Sequence, residues 1–113
     1  MHELALTEGV VNIVNSQQAE QGFSRVLEIR LRVGEYSGII PECLRECFPI
    51  AAKGTAAEGA ALVIESVEAA FRCQSCGYEG AIERRSARCP HCGSEELRLT
   101  AGREFYVDSL KVE

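Results

Sequence analysis

Four cysteines in two matching pairs constrain the fold of this chain more than any other feature. The pairs are Cys73-Gln74-Ser75-Cys76-Gly77 and Cys89-Pro90-His91-Cys92-Gly93, and twelve residues separate Cys76 from Cys89. Two residues between cysteines let one tight turn direct both sulfurs at the same ion, and the following glycine tolerates the positive φ that such a turn needs. Two such turns complete a tetrahedral shell of four sulfurs, which predicts a zinc ion. The predicted ligands are Cys73, Cys76, Cys89 and Cys92.

The closed shell of four sulfurs predicts a structural metal rather than a catalytic one. A catalytic zinc keeps one position open for water, whereas four cysteine ligands leave none. Two other uses of the same cysteines stay open. A rubredoxin-like iron site would share the ligands, and a thiol oxidoreductase could use one Cys-x-x-C pair, although neither pair opens a helix after a strand.

The length and composition bound the fold and the location. At 113 residues with 46% hydrophobic residues, the chain suits one compact domain, or a small core with a metal-held module. It has no run of about twenty apolar residues, and Met1-His2-Glu3 opens without the pattern of a signal peptide. Paired cysteines in a reducing compartment favour a metal site over disulfides. We therefore expect a cytoplasmic protein without a membrane partner.

The first half of the chain predicts two helices and a strand. Residues 3–21 have an apolar stripe of helical period made of Leu6, Val10, Ile13 and Val14. Residues 25–33 alternate, with Leu27, Ile29, Leu31 and Val33 on one face. A second helix is predicted from Pro41 to Lys53. Because Pro49 removes a backbone donor, we expect a kink or an early end of this helix near Cys47.

The second half predicts strands on either side of the cysteine pairs. Residues 61–72 form one predicted strand that leads into the first pair, and residues 103–113 form a closing strand with a bulge near Asp108-Ser109. We therefore expect an α+β fold in which two helices pack on a sheet of about three strands. Residues 1–69 and 103–113 form the predicted main domain, and residues 70–102 form a zinc ribbon inserted into it.

The predicted ribbon and the rest of the chain differ in charge. Residues 70–103 contain six arginines and four glutamates, whereas the remainder contains six basic and thirteen acidic residues. Four thiolates on a zinc ion would cancel the small positive excess of the ribbon. Nucleic-acid binding through Arg84, Arg85 and Arg88 is therefore not expected, because a phosphate-binding surface needs a denser basic field. The net charge of −5 supports the same conclusion.

The two remaining cysteines, Cys43 and Cys47, lie four residues apart on the second predicted helix. That spacing places both thiols on one helix face, which we expect also to carry Leu44 and Phe48 and to be buried. No neighbouring histidine or basic group marks either cysteine as a nucleophile. Since the chain also lacks a Ser-His-Asp set, a phosphate-binding glycine loop and a paired carboxylate site, we predict that it is not an enzyme.

The start of the chain offers a different kind of metal site. A free α-amine at Met1, the amide nitrogen of His2 and its imidazole can chelate one divalent ion if the amide loses its proton. Such an in-plane nitrogen set suits Ni²⁺ or Cu²⁺. The first amides of a helix have no intrahelical partner, so the ligand costs no helical hydrogen bond. Glu3 could supply the fourth ligand, and the alternative is a terminal residue with no ligand role.

Several motifs together resemble one family. They are Met1-His2-Glu3-Leu4 at the start of a helix, Val33-Gly34 at a strand end, Lys53-Gly54-Thr55, Glu58-Gly59-Ala60, the two Cys-x-x-Cys-Gly turns and a closing strand. This set resembles the HypA/HybF family, the nickel-insertion accessory proteins of nickel-iron hydrogenase maturation, over essentially the whole chain. The resemblance implies a nickel metallochaperone with nickel ligands His2, Met1 and Glu3. It also implies structural zinc at the four paired cysteines.

The resemblance further implies partners and a mechanism. Such proteins work with a HypB-like GTPase and deliver nickel to the hydrogenase large-subunit precursor, and some relatives also serve urease maturation. A homodimer is one option for the assembly state. His91, between two predicted zinc ligands, could approach the nickel or remain a solvated residue of the turn. The alternative function is a zinc-ribbon module that binds protein or nucleic acid without a nickel cargo.

Overall fold

The computed structural model describes residues 3–83 and 85–113, so Met1, His2 and Arg84 lie outside the described residues. The α+β fold class is confirmed. No helix in the described ranges is both long enough and apolar enough to cross a membrane. In chain order the helices and strands are α1 Glu3–Gln21, β1 Val26–Gly34, α2 Pro41–Ala52, β2 Ala61–Val67, β3 Ala70–Cys73, β4 Glu79–Gly80, β5 Leu97–Ala101 and β6 Phe105–Val112.

The main sheet has three strands in the order β2-β1-β6. Strand β1 runs parallel to β2 and antiparallel to β6. The parallel pair needs a crossover connection, and α2 provides it. The two helices, β1 and the turn after α2 supply the buried core, which comprises Val10, Val11, Val14, Val26, Ile29, Leu31, Val33, Leu44, Phe48, Ala52 and Ala57. The prediction of two helices on a three-stranded sheet is therefore confirmed.

Two bulges change which side chains of this sheet face the core. The pairing of β1 with β6 shifts between Val26 and Glu28, and Leu27 is 37% exposed while Val26 and Ile29 are buried. The predicted alternation was therefore wrong at Leu27, because an extra residue reverses the direction of the side chains before it. A second shift leaves Asp108 unpaired. This confirms the bulge predicted in the closing strand.

The buried stripe of α1 differs from the predicted one. Its buried residues are Thr7, Val10, Val11 and Val14, whereas Ile13 is 46% exposed. The Thr7 hydroxyl donates to the Leu4 carbonyl at 2.8 Å, so its burial leaves no unsatisfied polar group. The bounds of α1 match the prediction, but the face that is buried depends on where α2 and the sheet lie.

Helix α2 continues past Pro49 and ends at Ala52. Of the two predicted outcomes, the early end near Cys47 was therefore wrong, and the kink stays a prediction. Leu44 and Phe48 before the proline and Ala52 after it are all buried in the core. Packing on both sides of Pro49 compensates for the missing backbone donor. Pro49 itself is exposed and lies on the outer face of the helix.

The predicted strand over residues 61–72 is two strands in two different sheets. β2 ends at Val67, and β3 begins at Ala70 as the centre of a second sheet with the order β4-β3-β5. The prediction of a single strand was therefore wrong, because the chain passes from one sheet to the other at Glu68 and the buried Ala69. All three strands of the second sheet come from the chain segment between β2 and β6, which are both strands of the main sheet. This is the arrangement of an inserted ribbon.

The two sheets meet where Gly34 lies against Gly102. The Gly34 amide donates to the Glu104 carbonyl at 2.7 Å, and the Tyr36 amide donates to the Gly102 carbonyl at 2.6 Å. A Cβ atom at Gly34 would collide with the backbone of Gly102 and Arg103. Close approach of two backbones therefore requires glycine at this position.

Gly34→Ala should destabilise the protein by about 1–3 kcal/mol or more, because backbone atoms cannot move aside as a flexible side chain can. The matched control is Gly9→Ala in α1, where an added Cβ meets nothing within 4 Å. That change should raise helix stability by about 0.5–1 kcal/mol. Urea unfolding of both variants at equal zinc loading provides the measurement. Equal midpoints for the two variants would contradict the predicted collision.

Candidate metal centre

The four predicted ligand cysteines converge in the ribbon. Their Sγ atoms all lie within 4.8 Å of one another, with 3.6 Å between Cys73 and Cys92 and 3.6 Å between Cys76 and Cys89. A tetrahedral ion with metal–sulfur bonds of about 2.3 Å separates its sulfurs by roughly 3.8 Å. The spacing of the thiols therefore fits a tetrahedral zinc-sized ion without backbone rearrangement.

The two cysteine turns have nearly the same backbone geometry. The Gly77 amide donates to the Cys73 carbonyl at 3.0 Å, and the Gly93 amide donates to the Cys89 carbonyl at 2.9 Å. Both glycines have positive φ, at 80° and 78°. Each turn then closes when its first cysteine donates its amide at 2.8 Å, Cys73 to Tyr78 and Cys89 to Ser94. The role predicted for the two glycines is confirmed.

The electrostatics of the cluster indicate that it needs a cation. The backbone amide of Cys76 is the main influence that lowers the pKa of Cys73 to about 6. For Cys76, the amide of Tyr78 also lowers the pKa, but burial and three neighbouring thiols together raise it to about 12. One sulfur therefore ionises readily while the next resists a second negative charge beside it. A divalent cation relieves this repulsion and allows all four thiolates.

Burial of the cluster is uneven. Cys73 and Cys89 are 1% and 3% exposed, while Cys76 and Cys92 are exposed. The first cysteine of each turn therefore faces inward and the second faces solvent. An ion held here would be enclosed by sulfur on all sides but covered by little protein on one of them.

His91 makes its contacts within the ribbon. Its amide donates to the Cys89 sulfur at 3.4 Å, and its ring stacks on Tyr78 with 6.4 Å between centroids and 14° between planes. The stacking partner could not be found from the sequence, because the two residues lie in different cysteine turns. The two alternatives for His91, an approach to nickel or a solvated residue of the turn, both stay open.

The predicted nickel ligands lie at the start of α1. Glu3 opens the helix and is half-buried, while Met1 and His2 lie outside the described residues. Partial burial, followed by the negative charge of Glu3, raises the pKa of the Cys43 thiol. Helix α1 packs against α2, and the charge at its start acts on the Cys43 thiol of α2. Sequence reasoning missed this influence, which depends on how the two helices pack.

Cys43 and Cys47 are not the buried residues that we expected. Both are half-buried and free, whereas Leu44 and Phe48 beside them are buried. The helix face toward the core is thus formed by the neighbouring residues, and the thiols lie at its border. The expectation that both cysteines act only as buried hydrophobic side chains was wrong.

Comparisons with known proteins agree in family and fold. A family model described as hydrogenase/urease nickel incorporation, metallochaperone, hypA matches residues 1–112. The chain is 44% identical to the hydrogenase maturation factor HypA of Methylocella silvestris, covering all of both chains. It is 39% identical to the factor of the same name from Chlorobium limicola, covering all of this chain and 97% of the relative.

Solved structures share the fold at low identity. The solution structure of a HypA protein matches with a TM-score of 0.77 and 17% identity, covering 100% of this chain and 97% of the other. The solution structure of the nickel metallochaperone HypA from Helicobacter pylori matches with a TM-score of 0.71 and 18% identity, covering 99% and 97%. The relatives are named as maturation factors and as a metallochaperone rather than as enzymes, in agreement with the prediction. The chain therefore belongs to the HypA family of nickel metallochaperones in hydrogenase maturation.

Proposed function

We propose that this chain binds Ni(II) through Met1, His2 and Glu3 at its N-terminus. With a HypB-like GTPase, it would deliver the ion to the large-subunit precursor of a nickel-iron hydrogenase. The family assignment supports nickel handling within the hydrogenase maturation machinery. The nickel ligands, the GTPase partner and the recipient protein are proposals that go beyond the family assignment.

One observation carries the assignment of the nickel ligands. Helix α1 begins at Glu3, directly after Met1-His2. The first amides of a helix have no carbonyl partner within it, so they can bind a metal without breaking a helical bond. An α-amine, an amide and an imidazole provide the nitrogen ligands that Ni²⁺ accepts in a square plane. The half-buried carboxylate of Glu3 is available as the fourth ligand.

The four ribbon cysteines would hold zinc as a resident structural ion. Four thiolates leave no open position, whereas a site made from a chain end is open to an incoming ligand. Nickel is therefore the transferred ion and zinc the permanent one. We propose residues 70–102 as the zinc ribbon, with residues 1–69 and 103–113 as the nickel-binding domain, and we propose that the protein acts in the cytoplasm. Its assembly as a homodimer is a further proposal.

The test is a calorimetric titration of Ni²⁺ into zinc-loaded protein with a native N-terminus. His2→Ala and a form with an N-terminal extension should each lose at least about tenfold in affinity, because each removes a nitrogen ligand. His91→Ala is the matched control, since His91 is the other of the two histidines. It should bind nickel as the unchanged protein does.

Equal affinity in the native, His2→Ala and extended forms would contradict the proposed ligand set. A loss that is confined to His91→Ala would move the site to the ribbon. Partner binding that is indifferent to nickel, or salt-sensitive binding to nucleic acid, would instead favour an interaction module without a nickel cargo.

A further inference from the structure

Two arginines, Arg72 and Arg98, lie directly opposite each other in the ribbon sheet. Arg72 is on β3 and Arg98 is its cross-strand partner on the antiparallel strand β5. Both side chains are exposed, and directly opposite residues share one face of a sheet. Like charges in this position repel each other. Arg72 is partly compensated by Glu79, at 3.6 Å, whereas Arg98 makes no ion pair within the described residues.

An open hollow borders this face of the sheet. Its volume is about 490 Å³, and Arg72 and Arg98 both line it together with the polar side chains of Gln74 and Thr100. Among the described lining residues two are cationic and none is acidic. The hollow is therefore suited to a negatively charged group.

A second hollow, of about 380 Å³, shares Leu99 and Thr100 with the first. Its charged lining residues are Arg103 and Glu104, and the Glu104 carboxylate already accepts the Gly102 amide at 2.6 Å. Both hollows border β5. Open space therefore follows this strand along most of its length.

Strand β5 is also an edge strand. The sheet order is β4-β3-β5, so one side of β5 has no neighbour among the strands that the structure describes. The Gln74 amide donates to the Glu96 carbonyl at 2.8 Å, which continues the ladder between β3 and β5. Because the direction of the backbone groups alternates along a strand, those of Arg98 point at β3, while those of Leu97 and Leu99 point outward. The outer edge can therefore accept a further strand.

The side chains of β5 determine what such a strand should contain. Arg98 and Thr100 are exposed on one face, and Leu97 and Leu99 are half-buried on the other. An added strand places alternate side chains beside each face. The residues next to Arg98 should be acidic, and those next to the two leucines should be apolar. The matching partner is an extended peptide in which carboxylate and apolar side chains alternate.

Charge argues against a second copy of this chain as the occupant. Antiparallel pairing of two β5 strands around a two-fold axis would place two pairs of Arg72 and Arg98 on one continuous sheet, where like charges repel. Charged side chains commonly protect edge strands from such self-association. Nucleic acid is also disfavoured, because two arginines are a sparse basic field for a phosphate backbone and because it has no peptide groups to pair with β5.

We propose that the outer edge of β5 binds an extended acidic segment of a partner protein, which adds to the ribbon sheet as a fourth strand. Carboxylates of the segment pair with Arg98 and approach Arg72, and its apolar side chains cover Leu97 and Leu99. This docking surface lies in the ribbon alone. It holds whether or not the N-terminus binds nickel.

The test is an amide NMR titration of zinc-loaded full-length protein with a blocked seven-residue peptide of alternating valine and glutamate. The signals of β5 should shift, with the largest change at Leu99, while those of α1 and the main sheet stay in place. The same peptide with lysine instead of glutamate should bind at least about tenfold more weakly, because it repels the two arginines. A version with N-methylated backbone amides should not bind, since methylation removes the donors that a β ladder needs.

A matched pair of charge reversals tests Arg98. Arg98→Glu should weaken binding of the glutamate peptide at least about tenfold, and it should fold because the new carboxylate faces Arg72 across the strands. Arg85→Glu changes the net charge equally at an exposed ribbon position outside the described lining of both hollows. In about 0.15 M salt, where charges are screened beyond about 8 Å, this control should stay within about twofold. Unchanged zinc content and dispersed ribbon signals show that both variants are folded.

Several results would overturn this docking surface. They include the absence of any shift of the β5 signals at millimolar peptide, and equal losses of affinity in Arg98→Glu and Arg85→Glu. Undiminished binding of the N-methylated peptide would exclude strand addition. Shifts of the same signals when the protein alone is concentrated would assign the edge to a second copy. Tighter binding of a single-stranded oligonucleotide at these signals would assign it to nucleic acid.

Discussion

Replacing Cys73 by serine is expected to remove the ribbon metal and, with it, the fold of residues 70–102. The buried core cluster lies entirely outside the ribbon. Within the ribbon, β3, β4 and β5 are four, two and five residues long, and Cys73 and Cys89 are buried. In small domains, binding of structural zinc contributes about 10–16 kcal/mol to the free energy of folding. The few buried side chains of the ribbon cannot provide as much. The ribbon therefore depends on the ion.

The effect should be confined to the ribbon when it is followed residue by residue. In amide NMR spectra of Cys73→Ser, the signals of β3, β4 and β5 should collapse toward disordered positions, while those of α1, α2 and the main sheet stay dispersed. Metal analysis should fall from about one zinc per chain to near zero, and iron in the unchanged protein would identify the rubredoxin-like alternative.

Ser75→Ala is the matched control for this change. It lies in the same turn and removes only the exposed contact between the Ser75 and Ser94 hydroxyls, at 3.0 Å. This variant should keep its metal and its ribbon spectrum. Dispersed ribbon signals in metal-free Cys73→Ser would show that residues 70–102 fold without the ion, contrary to the expectation.

The sequence predicted those features that depend on short stretches of chain. The spacing within each cysteine pair and the glycine after it determine the turn geometry locally, so the four-cysteine site could be predicted before any fold was known. The bounds of α1 follow from its periodicity and from Gly22, whose φ is +73°. The bulge at Asp108 was visible as a change in the phase of the apolar residues.

The features that were missed depend on contacts between distant segments. Leu27 is exposed because of its pairing with β6, and residues 61–72 divide because two different sheets take up the two halves. Helix α2 passes Pro49 because the core holds it on both sides. The influence of Glu3 on Cys43 likewise arises only when α1 packs on α2. No local pattern in the sequence encodes these contacts.

Nickel affinity is expected to fall steeply as the pH is lowered below neutrality. Binding through the proposed ligands displaces protons from an α-amine, an imidazole and an amide, and the first two have ordinary pKa values of about 8 and 6.5. Above about pH 8 only the amide proton is displaced. Between about pH 6.5 and 8 the amine adds a second proton, and below that range the imidazole adds a third.

The apparent affinity should therefore fall by up to about tenfold, a hundredfold and a thousandfold per pH unit in these three ranges, because each displaced proton contributes a factor of ten. Calorimetric Ni²⁺ titrations between pH 6 and 8.5 provide the measurement. The protein with both Cys43→Ser and Cys47→Ser should keep the same profile, since those thiols are not proposed nickel ligands. A site made of carboxylates alone would instead give a flat profile throughout this range, since their ordinary pKa values lie near 4. A flat profile would therefore exclude the nitrogen ligands of Met1 and His2, whatever the absolute affinity.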